Sequence, residues 1–343
     1  MGAMTRTIQP LLEAYGRLIR EYVERYLTSQ PRAPYLHELL ADYPSRGGKM
    51  MRPCICMANA RAFGGRLEDA IPFAGAVEIL HNALLIHDDI QDESVERRGL
   101  PTLHALHGVP LAINAGDAML LMAFGPLLDH VGRRGGTFAR RILDVTRRMA
   151  RETAEGQALD IGWRMDRRHD ISTADYLTMV LKKTAWMATI WPAQVGMLLG
   201  THGLVDPEAV VRFGFFLGAT FQIQDDLLNF SSEAAYGKEP RGDLFEAKHT
   251  LLLIHVRDQC NQRERRDLDH FMNLRREERT ADAVAWLADL MVSKGSTDYA
   301  RMVAESLAGA ARHEFIRAYG HLPDSPDKDF IEDLVPWVFN RTT

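Results

Sequence analysis

The chain has 343 residues, 46% hydrophobic and 25% charged, with 41 Lys and Arg against 46 Asp and Glu for a formal charge of −5. An ordinary charge density without basic excess excludes a disordered or fibrous chain and sets nucleic acid aside as a partner. Three cysteines, Cys54, Cys56 and Cys260, are too few and too irregularly spaced for a disulfide framework, which fits a reducing, cytoplasmic setting.

Met1-Gly2-Ala3-Met4 reads as a cloning scar ahead of a native Met4, and residues 5–343 as one domain, since no Gly-, Pro- or Ser-rich linker interrupts them. From Leu11 to Leu27, apolar or aromatic residues fall at 11, 12, 15, 18, 19, 22, 23, 26 and 27, the three-and-four spacing of an amphipathic helix. Similar patterns cover 50–63, 68–94, 111–130, 138–165, 173–199, 207–231 and several later stretches. Period-two runs are nearly absent, so the chain is predicted all-α. Ser172-Thr173-Ala174-Asp175 has the form of a capping box, and Asp206-Pro207 sets an N-cap acid before proline at the first helical position. The segment 261–280, dense in both signs, reads as a solvated helix face. No window holds the roughly 18 uninterrupted apolar residues of a membrane span, so no span is expected.

Two predicted helices, over 72–87 and 209–224, are apolar on all sides, which marks them as central. Each runs straight into paired aspartates. In His87-Asp88-Asp89-Ile90-Gln91-Asp92, Asp88 and Asp92 fall one turn apart with Asp89 about 100° round, so three carboxylates converge at one helix end. Like charges this close require a counter-charge, and oxygen ligands alone suit a hard cation such as Mg2+, which commonly brings phosphates. A lone acidic helix end on the surface would look the same. Phe221–Asn229, however, repeats the design 137 residues later with Asp225 and Asp226. Two such ends facing across a cavity would clamp a diphosphate between metal ions. Gly48-Lys49 with Arg52, Arg97-Arg98, Lys182-Lys183-Thr184, Lys238 and Lys248 offer the matching cations. Gly48-Lys49 lacks the spacing of a nucleotide-binding P-loop, and no Gly-x-Gly-x-x-Gly follows a strand.

In their order along the chain, Gly48–Pro53, Leu85–Gly99, Glu155–Asp160, Lys182–Thr184 and Phe221–Asp226 resemble the motifs of the trans-isoprenyl diphosphate synthases, the polyprenyl synthetase family. Ile90-Gln91-Asp92, Asp160–Arg164 and Asp226–Asn229 lean toward its geranylgeranyl diphosphate synthases. The resemblance implies the isoprenoid synthase fold, one large helical bundle around a central cavity, and a homodimer. It implies three Mg2+ ions held by Asp88, Asp92 and Asp225, with Asp89 and Asp226 supporting, on the diphosphate of an allylic substrate. Arg97, Lys183, Lys238 and Lys248 would complete that pocket. Isopentenyl diphosphate would sit in a metal-free pocket of Gly48, Lys49, Arg52, His81 and Arg98. Departure of the allylic diphosphate would leave a carbocation, attacked by the double bond of isopentenyl diphosphate, on a path lined by Thr184 and Gln222. His81 and Gln222 each have an ordinary rival reading, as a core histidine and a buried amide.

The sequence departs from the family pattern in three places. Asn229 stands where a third aspartate is common, Ala185-Trp186 replaces a small pair, and Leu252 or Leu253 replaces a proline. The resemblance places product length under the control of Leu80, Ala83 and Leu84, one and two turns before Asp88. With no aromatic pair there, a C20 product, geranylgeranyl diphosphate, is expected, with Trp186 and Phe124 limiting depth from other helices. A farnesyl or longer-chain synthase is the alternative. A terpene cyclase of the same architecture would carry a second motif, Asn/Asp-Asp-x-x-Ser/Thr-x-x-x-Glu, that this chain lacks. A non-catalytic synthase subunit would tend to lose the acidic motifs this chain keeps.

Overall fold

A computed structural model of the chain describes residues 5–131, 134–231 and 241–341. Helices α1 (Thr5–Thr28), α2 (His37–Ser45), α3 (Met51–Ala62) and α4 (Leu67–Gln91) lead to a small hairpin, β1 (Glu96–Arg97) and β2 (Leu100–Pro101). Its strands are antiparallel, with Arg97 opposite Leu100. There follow α5 (Leu103–His107), α6 (Val109–Met122), α7 (Phe124–Val131), α8 (Gly136–Met165) and α9 (Thr173–Val180). A π-helical segment over Leu181–Ile190 joins α9 to α10 (Trp191–Gly200). The rest comprises α11 (Val211–Phe230), α12 (Gly242–Phe245), α13 (Leu251–Gln259), α14 (Gln262–Asn273), α15 (Ala281–Ser293), α16 (Ser296–Tyr319) and α17 (Pro326–Phe339). The fold is all-α as expected, 79% helical.

Local chemistry accounts for the helix ends. Ser172 Oγ accepts from the Asp175 backbone while Asp175 Oδ2 accepts from the Ser172 backbone, closing the predicted box. Asp206 caps as expected, but the turn it starts, Pro207–Val210, is 3₁₀ before α11 begins. On α1 the predicted stripe is the buried one: Leu12, Tyr15, Ile19, Val23 and Leu27 face the core.

The two helices apolar on all sides are central. Helix α4 packs against α1, α2, α3, α6, α7 and α10, and Phe73, Ala74, Ala76, Val77, Ile79 and Ala83 have no exposure at all. Helix α11 is enclosed by α9, α16, α17 and the π segment. Burying each large apolar side chain contributes about 1.5–3 kcal/mol, so the apolar walls of α4 and α11 hold their polar ends in place. By length and mean hydropathy alone, α4 and the stretch Val109–His130 would each suffice to cross a membrane, although polar residues interrupt both. The α4 window is 72% buried by other helices, the environment of a core helix.

The π segment was not legible in the 173–199 periodicity. Its wider winding advances each side chain by a smaller angle than an α-helix does. Lys183, Thr184 and Met187 line the central cavity, whereas Trp186 is carried away from it and lies under the Arg148 guanidinium at 4.5 Å.

Candidate active site

The ends of α4 and α11 open on one cavity of about 940 Å³, lined also by α3, α8, the π segment, the β1 hairpin and Arg341. Asp88 of α4 faces it with its side chain 26% exposed. Gln157 Nε2 donates to Asp88 Oδ1 at 3.2 Å, and Lys183 Nζ stands 3.5 Å from the same oxygen. Lys183 is anchored in turn by Asp160, 2.5 Å away. Although burial disfavours its charge, Asp160, Asp88 and Asp92 hold the Lys183 ammonium well above its ordinary range. This crossing depends on Gly156, where any Cβ would collide with the backbone of Lys183 as α8 passes the π segment.

Asp89 and Asp92 do not share the exposure of Asp88. Asp89 has no exposure and accepts from Tyr43 Oη at 2.6 Å and from Arg97 Nε at 3.0 and 3.1 Å, with Arg97 Nη2 completing the fork. Arg97, expected to present its fork to phosphate, is therefore committed to Asp89, with Nη2 3.8 Å from Asp88 Oδ2. Asp92, 4% exposed, turns into a small recess beside Ser94 and Asp243 instead of facing the cavity with Asp88. Arg164 Nη2 donates to its Oδ1 at 2.8 Å and Lys248 Nζ stands 2.8 Å from Oδ2. Burial pushes its carboxyl up, but Lys248, Lys183 and Arg164 outweigh this and hold it far below the carboxylate range. Asp92 is the C-cap residue of α4.

On α11, Asp225 lines the cavity and is paired with Arg341. Asp226 is buried, receiving Tyr176 Oη at 2.7 Å and Gln222 Nε2 at 2.8 Å. Burial and the charge of Asp243 push its carboxyl up to about 7. Thr184 Oγ1 donates to Gln222 Oε1 at 2.7 Å, so Thr184, Gln222, Asp226 and Tyr176 form one hydrogen-bonded chain along the cavity wall. Asn229 also lines the cavity, and its Oδ1 accepts from the Asp243 backbone at 3.0 Å. Lys248 bridges Asp92, Glu246 at 2.7 Å and Asp243 at 3.5 Å. Lys238 lies outside the described residues.

A second group, the basic side chains of Lys49, Arg52 and Arg98 with His81, lines the same cavity. Gly48 sits at φ +142° with the Arg98 guanidinium so close that a Cβ would lie 2.8 Å from Nη2, which accounts for glycine there. Arg98 Nη1 donates to the Tyr43 carbonyl at 3.0 Å. Burial, with Arg52, Arg98 and Arg97 nearby, pushes the His81 imidazole well below its ordinary range, so it is neutral at pH 7. Partial desolvation and Arg341 lower the Lys49 ammonium to about 8.

Of the expected wall residues, Leu80 and Leu84 line the cavity, joined by Leu120, Met149 and Met187. Ala83, Trp186 and Phe124 are not among the lining residues, which corrects their expected part in limiting its depth. Sequence reasoning missed Tyr43, Tyr176, Arg164 as the partner of Asp92, and Arg341. The i, i+4 pairing of Asp160 with Arg164 was a readable signal; Arg341, 116 residues from Asp225, had none.

The donor set fits magnesium bound with phosphate. Among the described residues no three acidic or imidazole side chains converge on one point, and Mg2+ is characteristically held by one or two carboxylates with substrate phosphates supplying the rest. Asp88 and Asp225 open on a cavity rich in Lys and Arg, which meets that requirement.

The sequence profile of polyprenyl synthetase matches residues 33–291. The geranylgeranyl pyrophosphate synthase of Geoglobus acetivorans is 31% identical over 335 residues, covering 97% of this chain and 99% of its own. The chain belongs to the polyprenyl synthetase family. It is thus an isoprenyl diphosphate synthase, a trans-prenyltransferase, of a metal-dependent family. The geranylfarnesyl diphosphate synthase of Aeropyrum pernix is 32% identical over 301 residues, 86% of this chain and 91% of that one. A polyprenyl synthase from Caulobacter crescentus, crystallised with calcium and isoprenyl diphosphate, superposes with a TM-score of 0.83 at 26% identity, over 99% of this chain and 97% of that one.

Proposed function

We propose that this prenyltransferase condenses isopentenyl diphosphate with an allylic diphosphate and releases the C20 product, geranylgeranyl diphosphate. The observation that carries the chain length is the cavity wall one and two turns before Asp88, where Leu84 and Leu80 leave room below the charged mouth that an aromatic side chain would close. Mg2+ held by Asp88, Asp225 and, once it exchanges a cation, Asp92 would neutralise the charge growing on the departing diphosphate. Lys183, fixed between Asp160 and Asp88, adds a positive charge that needs no reorganisation during the reaction. Lys49, Arg52 and Arg98 hold the second diphosphate without metal. The Thr184 hydroxyl, its proton committed to Gln222, turns lone pairs toward the developing allylic cation. The proton lost after condensation passes to the released diphosphate.

We further propose a homodimer through α6 and α7, where Val109, Ile113, Leu121 and Leu128 are exposed at 44%, 42%, 74% and 58%. Incubation with isopentenyl and farnesyl diphosphates plus Mg2+, followed by chromatography, tests the product. A C20 end point is expected; a C15 or C25 end point overturns the assignment.

A further inference from the structure

Asp225 opens on the cavity, and its Oδ1 is already engaged by Nη2 of Arg341, a residue that follows α17. Three residues of α11 secure this arginine. Its guanidinium lies over the Phe221 ring, 4.8 Å from the centroid and one turn before Asp225. Its backbone carbonyl accepts from Gln224 Nε2 at 2.9 Å. With the Asp225 pair, these contacts leave Arg341 only 8% exposed. Arg52 lies over the same ring at 6.0 Å, and Arg341 contributes to the lowered Lys49 ammonium, so Arg341 stands within electrostatic reach of further cations.

We propose that Arg341 is an internal competitor for the metal ion at Asp225, set so that a divalent cation binds there well only when a diphosphate arrives with it. The inference rests on the metal-dependent prenyltransferase reading above. A charge-assisted pair on a buried fork is among the stronger polar contacts in proteins. A cation that takes the Asp225 oxygen must break that pair and add positive charge beside the guanidinium, Arg52 and Lys49. A bare ion brings only more positive charge. A metal diphosphate instead brings negative charge to this cluster, and the displaced guanidinium can pair with it. The apparent affinity for bare metal is therefore reduced by the fraction of molecules in which Asp225 is free. One side chain thereby favours loading of metal and diphosphate together over metal alone.

The test is Mn2+ binding, followed by the electron paramagnetic resonance of free Mn2+, with and without inorganic diphosphate. Wild type, Arg341→Gln, Arg341→Lys, Asp225→Asn, Asp88→Asn and the Arg341→Gln/Asp225→Asn double variant are compared, each checked by thermal melting. Arg341→Gln should bind Mn2+ alone about tenfold more tightly than wild type. Arg341→Lys should fall between, and the gain should vanish in the double variant. With diphosphate present, Arg341→Gln should show no such gain. If Arg341→Gln binds Mn2+ alone no more tightly than wild type, the competitor role is wrong. If Asp225→Asn and Asp88→Asn both leave Mn2+ diphosphate binding untouched, the metal-site reading itself fails, an outcome separable from the first.

Discussion

Asp89 is completely buried and gripped by the Arg97 fork, while Asp88, the residue before it, opens on the cavity. One step along a helix turns a side chain by about 100°, so two adjacent carboxylates receive opposite tasks. The Asp89–Arg97 pair ties the end of α4 to the β1 hairpin and thereby fixes Arg98, the next residue, against Gly48. Tyr43 adds a third tie from α2. The first acidic motif is thus half chemistry and half scaffold.

Replacing each member of that pair separates the two tasks. Asp89→Asn leaves the buried Arg97 charge with only the more distant Asp88 carboxylate, 3.8 Å away, and should cost about 3–5 kcal/mol of folding stability, measured by urea denaturation. Asp88→Asn, partly exposed and 3.5 Å from Lys183, should change stability by less than about 1 kcal/mol yet lower kcat by roughly a hundredfold or more. Equal stability losses for the two variants would contradict this division.

The pH dependence of substrate capture should report Lys49. Its ammonium is lowered to about 8, so the charge that attracts a diphosphate is complete below that pH and lost as pH rises through it. For isopentenyl diphosphate, kcat/KM, which follows groups of the free enzyme, should fall above pH about 8. Lys49→Arg, charged throughout, should move the fall to higher pH. A wild-type profile still flat at pH ~9.5 would rule Lys49 out as the titrating group.

Product length should respond to Leu84 and not to Trp186. Leu84→Phe places an aromatic ring across the cavity one turn below Asp88 and should shift the main product from C20 to C15. Trp186→Phe, on a side chain that does not line the cavity, should leave the product unchanged. Chromatography of products made from geranyl diphosphate and isopentenyl diphosphate reads both, and a Trp186→Phe shift would place that residue back on the tunnel.

The apolar face of α6 should govern assembly. Ile113→Glu with Leu121→Glu puts two charges on side chains exposed at 42% and 74%, where a partner would have to desolvate them at a cost of several kcal/mol. Light scattering should show a dimer for the native chain and a monomer for the double variant. Identical masses for the two would remove this face from the interface.

Much of this architecture was readable from spacing. The 3.6-residue period of α1, the capping box at Ser172 and the unbroken apolarity of α4 and α11 depend on interactions within a few residues, and local chemistry decides them. The two acidic ends and their order among the basic motifs pointed to one cavity because carboxylates that close are tolerated only opposite cations. Leu80 and Leu84 came instead from the family resemblance, which places chain-length control one and two turns before Asp88.

What the sequence by itself determined, then, is the helical class, the central pair of helices and the residue types of a metal diphosphate site. Tertiary structure alone decided which carboxylate faces the cavity and which is tied down. Arg97 takes Asp89, Arg164 and Lys248 take Asp92, and Arg341 reaches Asp225 across 116 residues. It also decided that residues 181–190 wind as a π-helix, turning Trp186 away from the wall. Pairings between distant segments follow from how the helices pack and which charge is left to neutralise, and neither leaves a mark in local periodicity.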